Sequence, residues 1–90
     1  MMRYHITMLC GGESMMLTPS DRPVFDFGSV SGIFGDAVLR ANKDMVEFMH
    51  RGVKLTLYPN ASVMFYHFTD RDTAFEYADE VMGMLTSGRR

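Results

Sequence analysis

Tryptophan is absent from this chain of 90 residues, cysteine occurs once, at Cys10, and proline occurs three times. A single thiol forms no intramolecular disulfide, so the chain lacks the cross-links on which small secreted domains rely. No apolar run approaches the ~20 residues of a bilayer-spanning helix. The start, MMRYHITMLCGGE, has no apolar stretch of the kind a secretory leader carries. These absences point to a cytoplasmic protein with no membrane partner. Basic charge is not in excess either: nine Lys and Arg stand against eleven Asp and Glu, for a net charge of -2. Such a balance gives no electrostatic footprint for nucleic acid. What is present is globular, 47% hydrophobic and 22% charged, which argues against disorder. The length suits a single domain over residues 1–90 with one two-layer core.

Residues 4–18 alternate as a hairpin around Gly11-Gly12, pairing Cys10 with Glu13, Met8 with Met15 and Ile6 with Leu17. Residues 18–31 hold Pro19, Asp21, Pro23 and Gly28 and read as a long loop, anchored by Phe25 and Phe27. DFGSVSGIFG within it lacks the lysine of a phosphate-binding loop. From Ile33 or Asp36 to Arg51 the spacing of Phe34, Val38, Ala41, Met45 and Phe48 predicts a helix closed by Gly52. Arg40 and Asp44, Lys43 and Glu47, and Glu47 and Arg51, each four apart, would pair along its outer face.

A second hairpin is predicted over VKLTLYPNASVMFYHF, residues 53–68. With a three-residue loop, Leu57 meets Val63 and Leu55 meets Phe65, and Val53 and His67 join them on the core face. Tyr58, Met64, Tyr66 and Phe68 then lie opposite; a two- or four-residue loop swaps the faces of the second strand. A last helix starts at Thr69 or Asp70 and ends near Ser87 with Gly88 as its terminator. Its buried stripe is Ala74, Ala78, Val81 and Leu85, flanked by Tyr77 and Met84. These elements predict an α+β two-layer sandwich in the order ββαββα, a mainly antiparallel sheet of four or five strands with two helices on one face.

Candidate sites are few. Cys10 has no base beside it, and the adjacent Glu13 disfavours a thiolate, so it reads as the end of a strand. His5, His50 and His67 share no metal-ligand spacing; His50 reads as a helix C-terminal cation. Asp72, Glu76 and Glu80 recur every four residues on the last helix, with Asp79 beside them and Asp70 at the helix mouth. Repulsion at that spacing is ~0.2–0.5 kcal/mol per pair. Either this is a solvated face, or Asp70, Asp72, Glu76 and Glu80 form an oxygen site for a hard cation such as calcium. A basic partner docking on the same face is a third reading.

The order hairpin, helix, hairpin, helix, with LYPNASVMFYHFTDRDTAFEYADEVM over residues 57–82 and the start MRYHITMLC, resembles small α+β proteins of methanogenic archaea. That resemblance covers the second half of the chain and implies an archaeal α+β protein associated with calcium. Taken together, the residues favour a non-catalytic protein-interaction module. It would bind a protein partner, or a second copy as a homodimer, through Tyr58, Met64, Tyr66 and Phe68. Calcium binding at the acidic helix start is the alternative.

Overall fold

Alternation at the start of the chain produces the first hairpin in the predicted register. In a computed structural model, which describes residues 3–87, β1 (Tyr4–Leu9) runs antiparallel to β2 (Ser14–Pro19), pairing Met8 with Met15 and Ile6 with Leu17. The ladder ends at Leu9 and Ser14, so the predicted Cys10–Glu13 pair is not part of it; Cys10–Gly12 instead form a 3-10 turn in which Gly11 (φ 69) and Gly12 (φ 94) take the left-handed backbone. Gly88, Arg89, Arg90 and the side chain of Cys10 lie outside the described residues.

The predicted long helix over 33–51 is replaced by a short helix and a hairpin. Helix α1 spans only Val30–Phe34; β3 (Val38–Ala41) and β4 (Val46–His50) follow, then β5 (Val53–Leu57). Two local devices override the helical spacing. The Asn42 side-chain oxygen accepts from the backbone N–H groups of Asp44 (2.8 Å) and Met45 (3.0 Å), folding 42–45 into a turn. Arg51 (φ 51) and Gly52 (φ 81) then form a two-residue turn of the hairpin-favouring hand between His50 and Val53. Consequently Val46 and Phe48 face the core while Met49 turns away, 38% exposed. The expected helical ion pairs are absent; Glu47 instead stands opposite Arg40 on β3 and 3.9 Å from Lys54 on β5.

The second hairpin takes the three-residue loop. β5 and β6 (Val63–Phe65) pair Leu57 with Val63 and Leu55 with Phe65. Tyr58 N–H donates to the Ser62 carbonyl, and the Ala61 N–H donates to that of Tyr58, both at 2.9 Å. Ala61 occupies the left-handed position (φ 72) where glycine is usual. Its methyl group is fully buried, which offsets a backbone strain of about 1–2 kcal/mol.

Six strands thus form one antiparallel sheet in the order β1-β2-β6-β5-β4-β3, and the element sequence is ββαββββα rather than ββαββα. Helix α2 (Arg71–Ser87) begins at Asp70, whose carboxylate accepts from the Thr73 hydroxyl (2.7 Å) and backbone N–H (3.3 Å). Ala74, Ala78, Val81 and Leu85 are its buried stripe, as the spacing predicts. They pack with Met15, Leu17, Phe48, Leu55, Leu57, Val63 and Phe65 from one sheet face, and with Val30 and Phe34 of α1. Phe34 stacks on Phe48 with ring centroids 4.1 Å apart and planes 9° apart.

Candidate functional site

Because both helices pack on the Phe48 face, the opposite face of the sheet is uncovered by any helix among the described residues. Strand pairing sets one row straight across it: Thr7, Met16, Met64, Thr56, Glu47 and Arg40. Tyr66 and Tyr58 flank that row. The Thr56 hydroxyl donates to the Tyr66 phenol oxygen at 3.2 Å, and the Lys54 ammonium lies 4.6 Å above the Tyr66 ring. Thr56 is fully buried beneath this layer, while Met16, Met64, Tyr58 and Tyr66 are half-buried. Partial burial and the charge of Tyr66 and Glu47 nearby push the Tyr58 phenol above its ordinary pKa.

At one end of the face, Met16, Tyr58, Pro59, Asn60 and Ser62 line an open hollow of about 440 Å³. Its floor is fixed by polar bonds within the chain. The Thr18 and Ser62 hydroxyls share a 2.7 Å hydrogen bond, and Asn60 Oδ1 accepts from the Ser62 N–H at 3.0 Å. A phenol, a carboxamide and apolar methionine surface therefore surround the hollow. Such a set can accept an apolar side chain and hydrogen-bond a neighbouring peptide group.

Of the four residues predicted to dock a partner, Tyr58, Met64 and Tyr66 are together on this face. Phe68 is not. His67 takes a left-handed conformation (φ 50), and the Phe68 N–H donates to the Glu13 carbonyl (3.1 Å), one residue out of step with the Phe65–Met15 pair. That one-residue slip turns Phe68 to the helix side, against Phe65 (5.6 Å between centroids) and Tyr77 (6.2 Å). It also turns His67 outward, away from the core face where alternation put it. Met16 completes the site; its signal lay in the alternation with Met15, but its neighbour Met64 belongs to a strand distant in sequence.

The acids of α2 are dispersed among different partners. Glu80 accepts from Arg51 through both oxygens (2.8 and 2.9 Å) and lies 2.7 Å from His50 Nε2. His50, at the end of a strand rather than a helix, thus meets an acid from the facing layer. Tyr4 donates to Asp79 at 2.8 Å; burial first, then this bond and the carboxylate's charge, raise the Tyr4 phenol pKa. Asp70 caps the helix, and its pKa is lowered by the bonds from Thr73. Asp72 and Glu76 are exposed. Among the described residues no group of three or more His, Cys, Asp or Glu side chains is gathered as a metal site.

Arg51, and after it His50, hold the Glu80 carboxyl below its ordinary value near 4.5. A depressed folded-state pKa adds stability above the unfolded value that disappears as pH falls through the folded one. Glu80→Gln is therefore expected to flatten the fall of the melting temperature between about pH 5 and pH 3. Matching wild-type and variant slopes in thermal scans over that range would rule out this linkage.

No protein family, curated protein or solved structure matches the chain. No helix among the described residues is long and apolar enough to cross a membrane.

Proposed function

We propose that this chain is a non-catalytic protein-interaction module that docks a protein partner on the open sheet face, through Met16, Met64, Tyr58 and Tyr66. The observation that carries this reading is the one-sided packing. A six-stranded sheet leaves methionine and tyrosine side chains, with an adjoining hollow, on the face away from both helices. Large amphipathic rings and flexible thioethers are the side chains that interfaces favour. Charge on the face is slight, since Glu47 lies between Arg40 and Lys54 and offsets one of the two cations. A neutral, apolar protein surface suits it better than a polyanion does. The calcium reading has less support, because Glu80 and Asp70 already have partners within the chain.

Replacing Met16 and Met64 together by lysine tests the reading. Both positions are half-buried and stand opposite one another. The pair of lysines is therefore expected to lower stability by about 1–3 kcal/mol through lost burial and like-charge repulsion, and capture is read at a temperature where the variant is folded. Proteins retained from a cell extract by the immobilised wild-type chain are expected to be lost from the folded double variant. Identical retained sets on the two baits would overturn the proposal.

A further inference from the structure

The two edges of the sheet are not alike. At one edge β3 is four residues long, is bulged at Leu39 between Val38 and Arg40, and presents the Arg40 charge. These are the devices by which an edge strand resists pairing. At the other edge β1 has six residues in unbroken register with β2, and YHITML contains no lysine, proline or glycine. Hydrogen-bond phase shows what that edge offers. The Ser20 N–H donates to the Arg3 carbonyl at 2.9 Å, so Arg3, His5, Thr7 and Leu9 bond inward to β2. Alternation then leaves the N–H and C=O groups of Tyr4, Ile6 and Met8 pointing outward. Pro19, which has no N–H, stands opposite Tyr4, at a position where none is needed. Among the described residues no strand pairs with this outer side of β1.

We propose that the outer edge of β1 pairs antiparallel with β1 of a second copy, centred on Ile6, joining two six-stranded sheets into one continuous sheet. Two features select this occupant and this direction. Antiparallel pairing about Ile6 sets Ile6 against Ile6 and Tyr4 against Met8 of the other copy, and so covers Met8, which is 40% exposed. Charge favours the same direction. Arg3 is exposed at the start of the edge. Antiparallel pairing about Ile6 sets Arg3 against Leu9 of the other copy, whereas parallel pairing in register would set the two Arg3 cations side by side. Such β-edge addition draws its affinity from main-chain bonds. The two open faces would then lie side by side on one surface, although the pairing itself does not depend on what those faces bind.

Sedimentation of the full chain across a micromolar-to-millimolar series is expected to show the mass rising from 10.3 kDa toward twice that value. Amide exchange at Tyr4, Ile6 and Met8 should slow with concentration, and exchange on β3 should not. Met8→Lys, which places a charge at an already exposed edge position, is expected to weaken dimerisation by about tenfold or more. It should leave the melting temperature of the dilute protein unchanged. Ile6→Pro removes one outward N–H and is the second variant; Met16→Lys with Met64→Lys should leave the dimer intact, separating this inference from the docking reading. A monomer at every concentration, or a dimer that survives Met8→Lys or protects β3 instead, would overturn the proposal.

Discussion

Phe48→Ala is expected to destabilise the protein by about 3–5 kcal/mol, a large fraction of what holds a domain of this size together. Phe48 is fully buried at the centre of β4, opposite Leu55 on β5 and stacked on Phe34 of α1. Its removal forfeits the ring's contacts with both layers and leaves a cavity that α1, held by Val30 and Phe34, closes only in part. The melting temperature should drop by roughly 12–40 °C for a chain of this length. Met49→Ala, one residue along, is expected to change stability by no more than about 0.5 kcal/mol, because a strand sends successive side chains to opposite faces. Urea unfolding followed by circular dichroism measures both. Equal losses at 48 and 49, or a loss under 1 kcal/mol at Phe48, would contradict the strand assignment.

That contrast bears on how much of the molecule is legible in its sequence. The register of the first hairpin is, because Gly11-Gly12 punctuate clean period-2 alternation; for the second hairpin Pro59-Asn60 mark the turn, but the choice among loop lengths, and so of faces, is made only by the fold. The stripe of α2 is too, since alanine, valine and leucine recur at 3.6-residue spacing without a competing turn. Residues 33–51 are misread because two periods coexist there. Val38, Ala41, Met45 and Phe48 fit a helix, while Val46, Phe48 and His50 fit a strand. Arg40, Lys43, Asp44, Glu47 and Arg51 add charge spacings that suit a helix, but Arg40, Glu47 and Arg51 serve cross-strand and interlayer pairs instead, and Lys43 and Asp44 are exposed in the turn between β3 and β4. The deciding residues are Asn42 and the Arg51-Gly52 pair, whose turn-forming roles are weaker signals than the hydrophobic period they interrupt. Phe68 is misplaced for a smaller reason, the one-residue slip at His67, which no alternation can announce. The open face was visible as a set of residues from one hairpin. Its full breadth was not, since β2 meets β6 only through pairing distant in sequence.

Ala78→Leu is the second large effect, an expected loss of about 1–3 kcal/mol through overpacking. Ala78 is fully buried in the middle of α2, where a methyl group lets the helix lie close to the sheet. Leucine and alanine differ little in helix propensity, so the loss measures the fit between the layers. Gly83→Ala on the same helix supplies the opposite sign. Nothing lies within 4 Å of the methyl it would add, and a helical glycine replaced by alanine gains about 0.4–1 kcal/mol. Lifting the helix also loosens what it holds at its sides: Glu80 from Arg51 and His50, and Asp79 from Tyr4. Ala78→Leu should therefore weaken the acid-side pH dependence that Glu80 contributes, as well as lower the melting temperature. Met16, Met64, Tyr58 and Tyr66 lie on the other side of the sheet, anchored by strand pairing and by the Thr56–Tyr66 bond. In the folded variant, partner capture on that face should persist while stability falls. If capture disappears in step with the overpacked helix, binding requires the helical layer, and the open face is not where the partner sits.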